Sequence, residues 1–221
     1  LESSKKTIGI YNICSSKFIS SGNLKNQAYR DYFYGRDLNI EDALSRIEGI
    51  AAKVIQNILA RNVLPVRNSR EHYILLIFTL LLNARTAYSA EQMNEFADKL
   101  LKAILSKDSR VPPGLDRGKF SLNQPTHMAL GQTALLLPFT FDLRFKLIVN
   151  KTRKPFITSD HPVVLYNQFL EARKSYGSNT GLACKGLEIF IPVSPSHLLI
   201  FFDRDVYKIG YKSNSLVLIT S

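Results

Sequence analysis

The hydrophobic period of this chain changes at Pro138, and no other feature limits its fold as much. Ahead of that proline, apolar residues recur at helical spacing. Ile40, Leu44, Ile47, Ala51, Val54 and Ile58 mark one helix over 39–61, an almost wholly apolar run marks a second over 69–87, and Met93, Phe96, Leu100 and Ile104 mark a third ending near Ser106. Pro125 to Leu137 predicts a fourth. Beyond Pro138, short runs of β-branched and aromatic residues alternate with polar turns, at 145–150, 155–158, 187–191, 197–202 and 215–219. Helices first and strands afterwards specify an α+β fold, an N-terminal helical bundle packed on a C-terminal mixed or antiparallel β-sheet.

The stretch Arg110–Gly118, with Pro112, Pro113 and Gly114, tolerates neither helix nor central strand. It divides one expected domain, 1–221, into a mainly helical lobe over about 1–110 and a helix-plus-sheet lobe over about 119–221. Thr7–Asn12 reads as a short strand and 15–26 as a polar loop, while Ser89-Ala90-Glu91-Gln92 reads as the capping box that starts the third helix. The apolar run Tyr73–Leu82 reaches only about half of the roughly 20 residues a bilayer requires. Arg70, Glu71 and Arg85 close it at both ends, so it reads as a buried core helix and no membrane span is expected. Cys14 and Cys184 match no metal-ligand spacing, and the first residues lack the apolar core of a leader peptide. Reduced thiols in a cytoplasmic protein are the expectation.

Charge narrows the choice of partner. Twenty-nine Lys and Arg against 18 Asp and Glu give a net charge of +11, which favours a polyanion such as nucleic acid. The basic loops supply Arg144, Arg153, Lys154, Arg173 and Lys174 as candidate contacts. Tyr29, Tyr32, Phe33 and Tyr34 stand among Lys25, Arg30 and Arg36, where aromatic rings could stack on bases or simply anchor a loop.

The polar knot Thr158-Ser159-Asp160-His161 sits between the apolar runs Phe156-Ile157 and Val163-Val164-Leu165, with Pro162 excluding helix at His161. Together with Ile40-Glu41, Ile47-Glu48, Arg85-Thr86 and the Pro192-Val193-Ser194-Pro195 turn, the knot resembles the family catalogued as domain of unknown function 4238. That pattern usually has Asn where His161 stands, and it also carries a His-x-x-Pro segment ahead of the first strand and a C-terminal helix that this chain does not show. The resemblance implies an architecture and a cluster of residues, with no substrate attached.

Two enzyme readings and one binding reading follow. In the first, the chain hydrolyses a phosphodiester, as a nuclease of a defence or toxin system would. Asp160 is then metal ligand or base, His161 or His127 the acid-base group, and Arg85 the clamp on phosphate charge. Ser159 lies beside them, and Glu41 and Glu48, one heptad apart on a helix face, complete with Asp160 an oxygen set for magnesium or manganese. The competing structural account has Ser159 and Asp160 bonding the backbone at a strand end while Arg85 neutralises a carboxylate. In the second, Arg67-Asn68-Ser69-Arg70-Glu71-His72 cleaves RNA without metal through Arg67 and His72. In the third, the basic loops bind nucleic acid or a protein without catalysis. Neither a G-x-x-x-x-G-K-[ST] phosphate loop, a G-x-G-x-x-G fingerprint nor a G-x-S-x-G elbow occurs, which argues against nucleotide hydrolysis, dinucleotide redox chemistry and a serine nucleophile at Ser159.

Overall fold

The computed structural model describes residues 7–23, 38–108, 110, 112, 118–173, 177–210 and 216–220. The aromatic cluster at 29–34, its basic neighbours, Lys174 and much of the proline linker lie outside the described residues. The chain divides into two compact units, Leu1–Arg36 and Asp37–Ser221.

In the first unit, β1 (Thr7–Asn12) and β2 (Lys17–Asn23) form an antiparallel hairpin. Most of the expected polar loop is therefore strand. Its serines are compatible with a two-stranded ribbon whose faces are largely exposed, and the cross-strand pairs Tyr11–Phe18 and Ile10–Ile19 set the register. Ser16 closes the turn at φ 52°, and the Ser15 N–H donates to the Asn12 side chain at 2.9 Å.

The second unit opens with α1 (Leu38–Arg61), α2 (Arg70–Ala84), α3 (Ala87–Ser106) and α4 (Pro125–Leu136), the last running into a 3-10 turn over Leu137–Thr140. A five-stranded sheet follows, built from β3 (Arg144–Asn150), β4 (Val164–Tyr166), β5 (Glu188–Ser194), β6 (His197–Phe202) and β7 (Leu216–Ile219), with a single-turn helix α5 (Gln168–Glu171) after β4. Strand order is β4-β5-β6-β3-β7, antiparallel except for the parallel pair β3–β7, so the fold is α+β with a mixed sheet. Alternation decides which face is buried. Leu147 and Val149 of β3, Ile189 and Ile191 of β5, and Leu199 and Phe201 of β6 pack with Val54 and Ile58 of α1 and Leu75, Leu76 and Leu80 of α2 in one core. Each such side chain contributes about 1.5–3 kcal/mol by leaving water.

Two element boundaries differ from expectation. The second helix stops at Ala84, and Thr86, ahead of the expected cap Ser89, starts the third by accepting the Ser89 N–H at 3.2 Å while its hydroxyl donates to the Asn83 carbonyl at 2.9 Å. The chain bends by 64° there, and no single helix among the described residues is long and apolar enough to cross a membrane. The run 155–158 is not a strand. Pro155 and Pro162 remove donors on either side of it, and the bond from the Phe156 N–H to the Pro195 carbonyl, 2.8 Å, holds it to the β5–β6 turn.

That turn is itself clamped to α1. His197 Nδ1 lies 2.7 Å from the Ser194 hydroxyl and 2.9 Å from that of Ser196, while Nε2 lies 2.7 Å from Asn62 Oδ1. Asn62 ends α1 in the left-handed region at φ 54°, with its N–H bonded to the Ile58 carbonyl at 2.7 Å. Sequence reading missed this clamp because Asn62 and His197 are far apart in the chain.

Candidate functional site

A cavity of about 630 Å³ opens where α2 ends, α3 begins, α4 passes and the strand-end knot returns to the sheet. Each element contributes for a local reason. The turn at Arg85-Thr86 exposes Asn83 of α2 and brings Ser89 and Gln92 of α3 to the rim, the helical period of α4 sets Gln132 and Thr133 on one side, and the knot delivers His161. Leu80, Leu136 and Leu165 are among the apolar parts of the lining. Among the described residues that line it there is no Asp, Glu, Lys or Arg.

His161 is held from two directions. Its Nδ1 lies 3.0 Å from the Thr86 hydroxyl, and the Tyr88 ring packs against it with centroids 4.8 Å apart at 53°. Nδ1 is engaged by Thr86, and Nε2 makes no hydrogen bond among the described residues. Burial holds His161 below its ordinary pKa against the opposing pull of the Asp160 carboxylate, so the ring is neutral at pH 7. Ser159 shapes the knot. Its hydroxyl donates to the His161 carbonyl at 3.0 Å and accepts the His161 N–H at 3.1 Å.

The other residues singled out in the sequence lie elsewhere. Arg85 pairs with Glu48 across α1 and α2, and the two line a separate small crevice with Leu44 and Phe78 rather than the His161 cavity. Glu41 is exposed near the start of α1, and Asp160 is exposed and lines neither hollow. Among the described residues no three His, Cys, Asp or Glu side chains gather to hold a metal ion, so the expected set of Asp160, Glu48 and Glu41 is not assembled, Glu48 having turned to Arg85. His127 is on α4 and does not line the cavity.

The Arg67/His72 pair is corrected more sharply. His72 is 0% exposed, with its ring stacked on Phe145 at 4.3 Å, and its Nδ1 accepts the Asn68 N–H at 3.1 Å. Nε2 is buried without a hydrogen-bond partner among the described residues, and burial, followed by the Arg67 charge, lowers the pKa to about 4. A ring sealed in this way cannot reach a phosphate. Arg67 donates instead to the Asp142 carbonyl at 3.4 Å.

The basic candidates are split between the two ends of the sheet. Arg144 opens β3, whereas Arg153 and Lys154 follow its far end, and all three are exposed. Arg173 lies over the Phe169 ring at 3.7 Å and donates to the Phe169 carbonyl at 2.9 Å. The described part of the chain thus lacks a continuous stripe formed by the four.

What sequence reading missed at the cavity is its neutral lining, since Asn83, Ser89, Gln92, Gln132 and Thr133 carry no spacing signal. No curated protein and no solved structure matches the chain. Residues 2–219 match the family described as protein of unknown function DUF4238, and the chain belongs to that family.

Proposed function

We propose that this protein binds a small uncharged molecule in the cavity beside His161. The observation that carries the reading is the lining. In a chain of net charge +11, a cavity of about 630 Å³ is walled, along its described residues, by amides, hydroxyls, apolar side chains and one imidazole. Along that described lining an anion would find no cation and a cation no carboxylate. The volume falls within the range of small-molecule sites, and mostly apolar walls with a few convergent polar groups are their usual chemistry. His161 is the group able to give or take a proton, and its bond to Thr86 fixes the ring for that role. The phosphodiester hydrolase drawn from the sequence receives no support from the positions of Asp160, Arg85, Glu41 and Glu48, so binding is preferred to catalysis.

The test is a thermal-shift screen of neutral, ring-containing compounds against the protein and a Thr133→Trp variant in which the indole fills the cavity. Compounds that raise the melting temperature of the first are expected to leave that of the second unchanged. Equal binding by both would refute the assignment.

A second reading has one observation in its favour. Lys151, Arg153 and Lys154 are exposed together in the turn after β3, a suitable contact for a phosphate backbone. Reversing Arg153 and Lys154 to Glu is expected to reduce both RNA affinity and its salt dependence, and unchanged binding across salt concentrations would exclude it.

A further inference from the structure

Resting on the cavity reading above, we infer the class of its occupant: a planar heterocycle with a hydrogen-bond donor and acceptor side by side on one edge, a nucleobase or its unphosphorylated nucleoside. The inference starts from three carboxamides. Asn83, Gln92 and Gln132 all line the cavity, and among the described residues none of their side-chain amides makes a hydrogen bond. Only the backbone carbonyl of Asn83 is used, by Thr86 and Ser89. Gln92 and Gln132 are exposed and Asn83 is half-buried, so each amide has one carbonyl acceptor and one NH₂ donor, side by side, free for a partner at the cavity wall. The complement of such a group is an adjacent donor and acceptor on a rigid edge, as when Asn or Gln engages a nucleobase through two bonds.

The remaining walls fit the faces of such a ring rather than another neutral ligand. Leu80, Leu136, Val164 and Leu165 supply apolar surface, and Tyr88 packs against His161 as an aromatic corner. A sugar presents hydroxyls around its whole circumference and would leave many of them against these apolar walls, at a cost for each unpaired group. A hydrocarbon or acyl chain would cover three amides without satisfying them, which is costly for the same reason. A nucleotide would bring its phosphate to a lining whose described residues hold no Lys or Arg. The unphosphorylated form is left, with His161 Nε2 available to hydrogen-bond a ring or exocyclic group.

The experiment is calorimetric titration of the whole chain with adenosine, uridine, their 5′-monophosphates and 2-naphthol, a neutral planar probe without the amide edge. Gln92→Leu, Gln132→Leu and Thr133→Trp serve as variants, each checked for an unchanged melting temperature. At least one nucleoside is expected to bind, its monophosphate at least tenfold more weakly. Each Gln→Leu change should weaken that nucleoside about tenfold or more while leaving 2-naphthol unaffected, since a good bidentate amide contact is worth about that factor. Nucleoside affinity that survives both Gln→Leu changes overturns the amide assignment. Binding of 2-naphthol that is abolished by Thr133→Trp, with no nucleoside bound, overturns the inference and leaves the cavity reading standing. If nothing binds, or if Thr133→Trp binds as well as the parent, both fall.

Discussion

At its first turn α2 carries His72 into the packed core, whereas its last turn and the residues after it present Asn83 and Ser89 to an open cavity and Thr86 to His161. Both ends place an imidazole next to an aromatic ring, Phe145 in one case and Tyr88 in the other. The difference lies in access. His72 is sealed, its Nδ1 consumed by a backbone N–H and its Nε2 buried, while His161 keeps one nitrogen beyond its bond to Thr86. His72, five residues after Arg67, is thus part of the core, whereas His161, before Pro162, lines the cavity.

The largest expected effect is on the sealed end. His72 is neutral in the fold down to about pH 4 but takes a proton near pH 6.5 once unfolded. Between those values the unfolded state binds more protons, so stability is complete above pH 6.5 and falls as the pH drops toward 4, by about 3 kcal/mol in all. Burial also depresses His161 and His197, which act in the same direction. The measurement is therefore the difference between the protein and a His72→Phe variant in urea melts from pH 7 to 4. The variant should lose most of the slope, and an equally steep loss would mean that His72 meets water.

At the open end the effect is smaller. Thr86→Ala removes the cap of α3 and the partner of His161 together, and about 1 kcal/mol of stability should go with it, as in other cap deletions. The same change at Ser69, which caps α2 by accepting the His72 N–H at 3.2 Å, should cost a similar amount. Only Thr86→Ala should also alter the titration of His161 followed by NMR. If both changes or neither shift that titration, the Thr86 contact is not what holds the ring.

The smallest effect is reserved for Glu48→Gln. Its pair with Arg85 leaves the two side chains 39% and 26% exposed, and pairs of that kind contribute between zero and about 1 kcal/mol. Urea melts should detect little, and cavity binding should not change. A loss of binding without a loss of stability would return Arg85 and Glu48 to the site.

Helices could be read from the sequence because their period is local: Ala51, Val54 and Ile58 announce the buried face of α1 without knowledge of the sheet. The strands β3, β5 and β6 were equally visible in their apolar runs. The run 155–158 misled, since its residues favour a strand while the flanking prolines leave it without a ladder. The break at Arg85-Thr86 was hidden because Ser89 offers a better cap pattern than Thr86, and only the bend shows which hydroxyl meets a free N–H. The knot drew attention to His161 as an acid-base group, and its ring lies at the cavity against Thr86 and Tyr88. Asp160, Arg85, Glu41 and Glu48 do not line the cavity, and the described groups that do are neutral ones from separate segments, which carry no pattern in a sequence.

The order of strands also affects how this protein is made. β3 is the first of the five sheet strands to leave the ribosome, yet its two neighbours, β6 and β7, are the last. Until they arrive, both edges of an apolar strand stay available to other nascent chains, while β5 and β6 can zip together as a local hairpin. The finished sheet conceals this interval, in which the hazard of mispairing is set by strand order and not by surface composition.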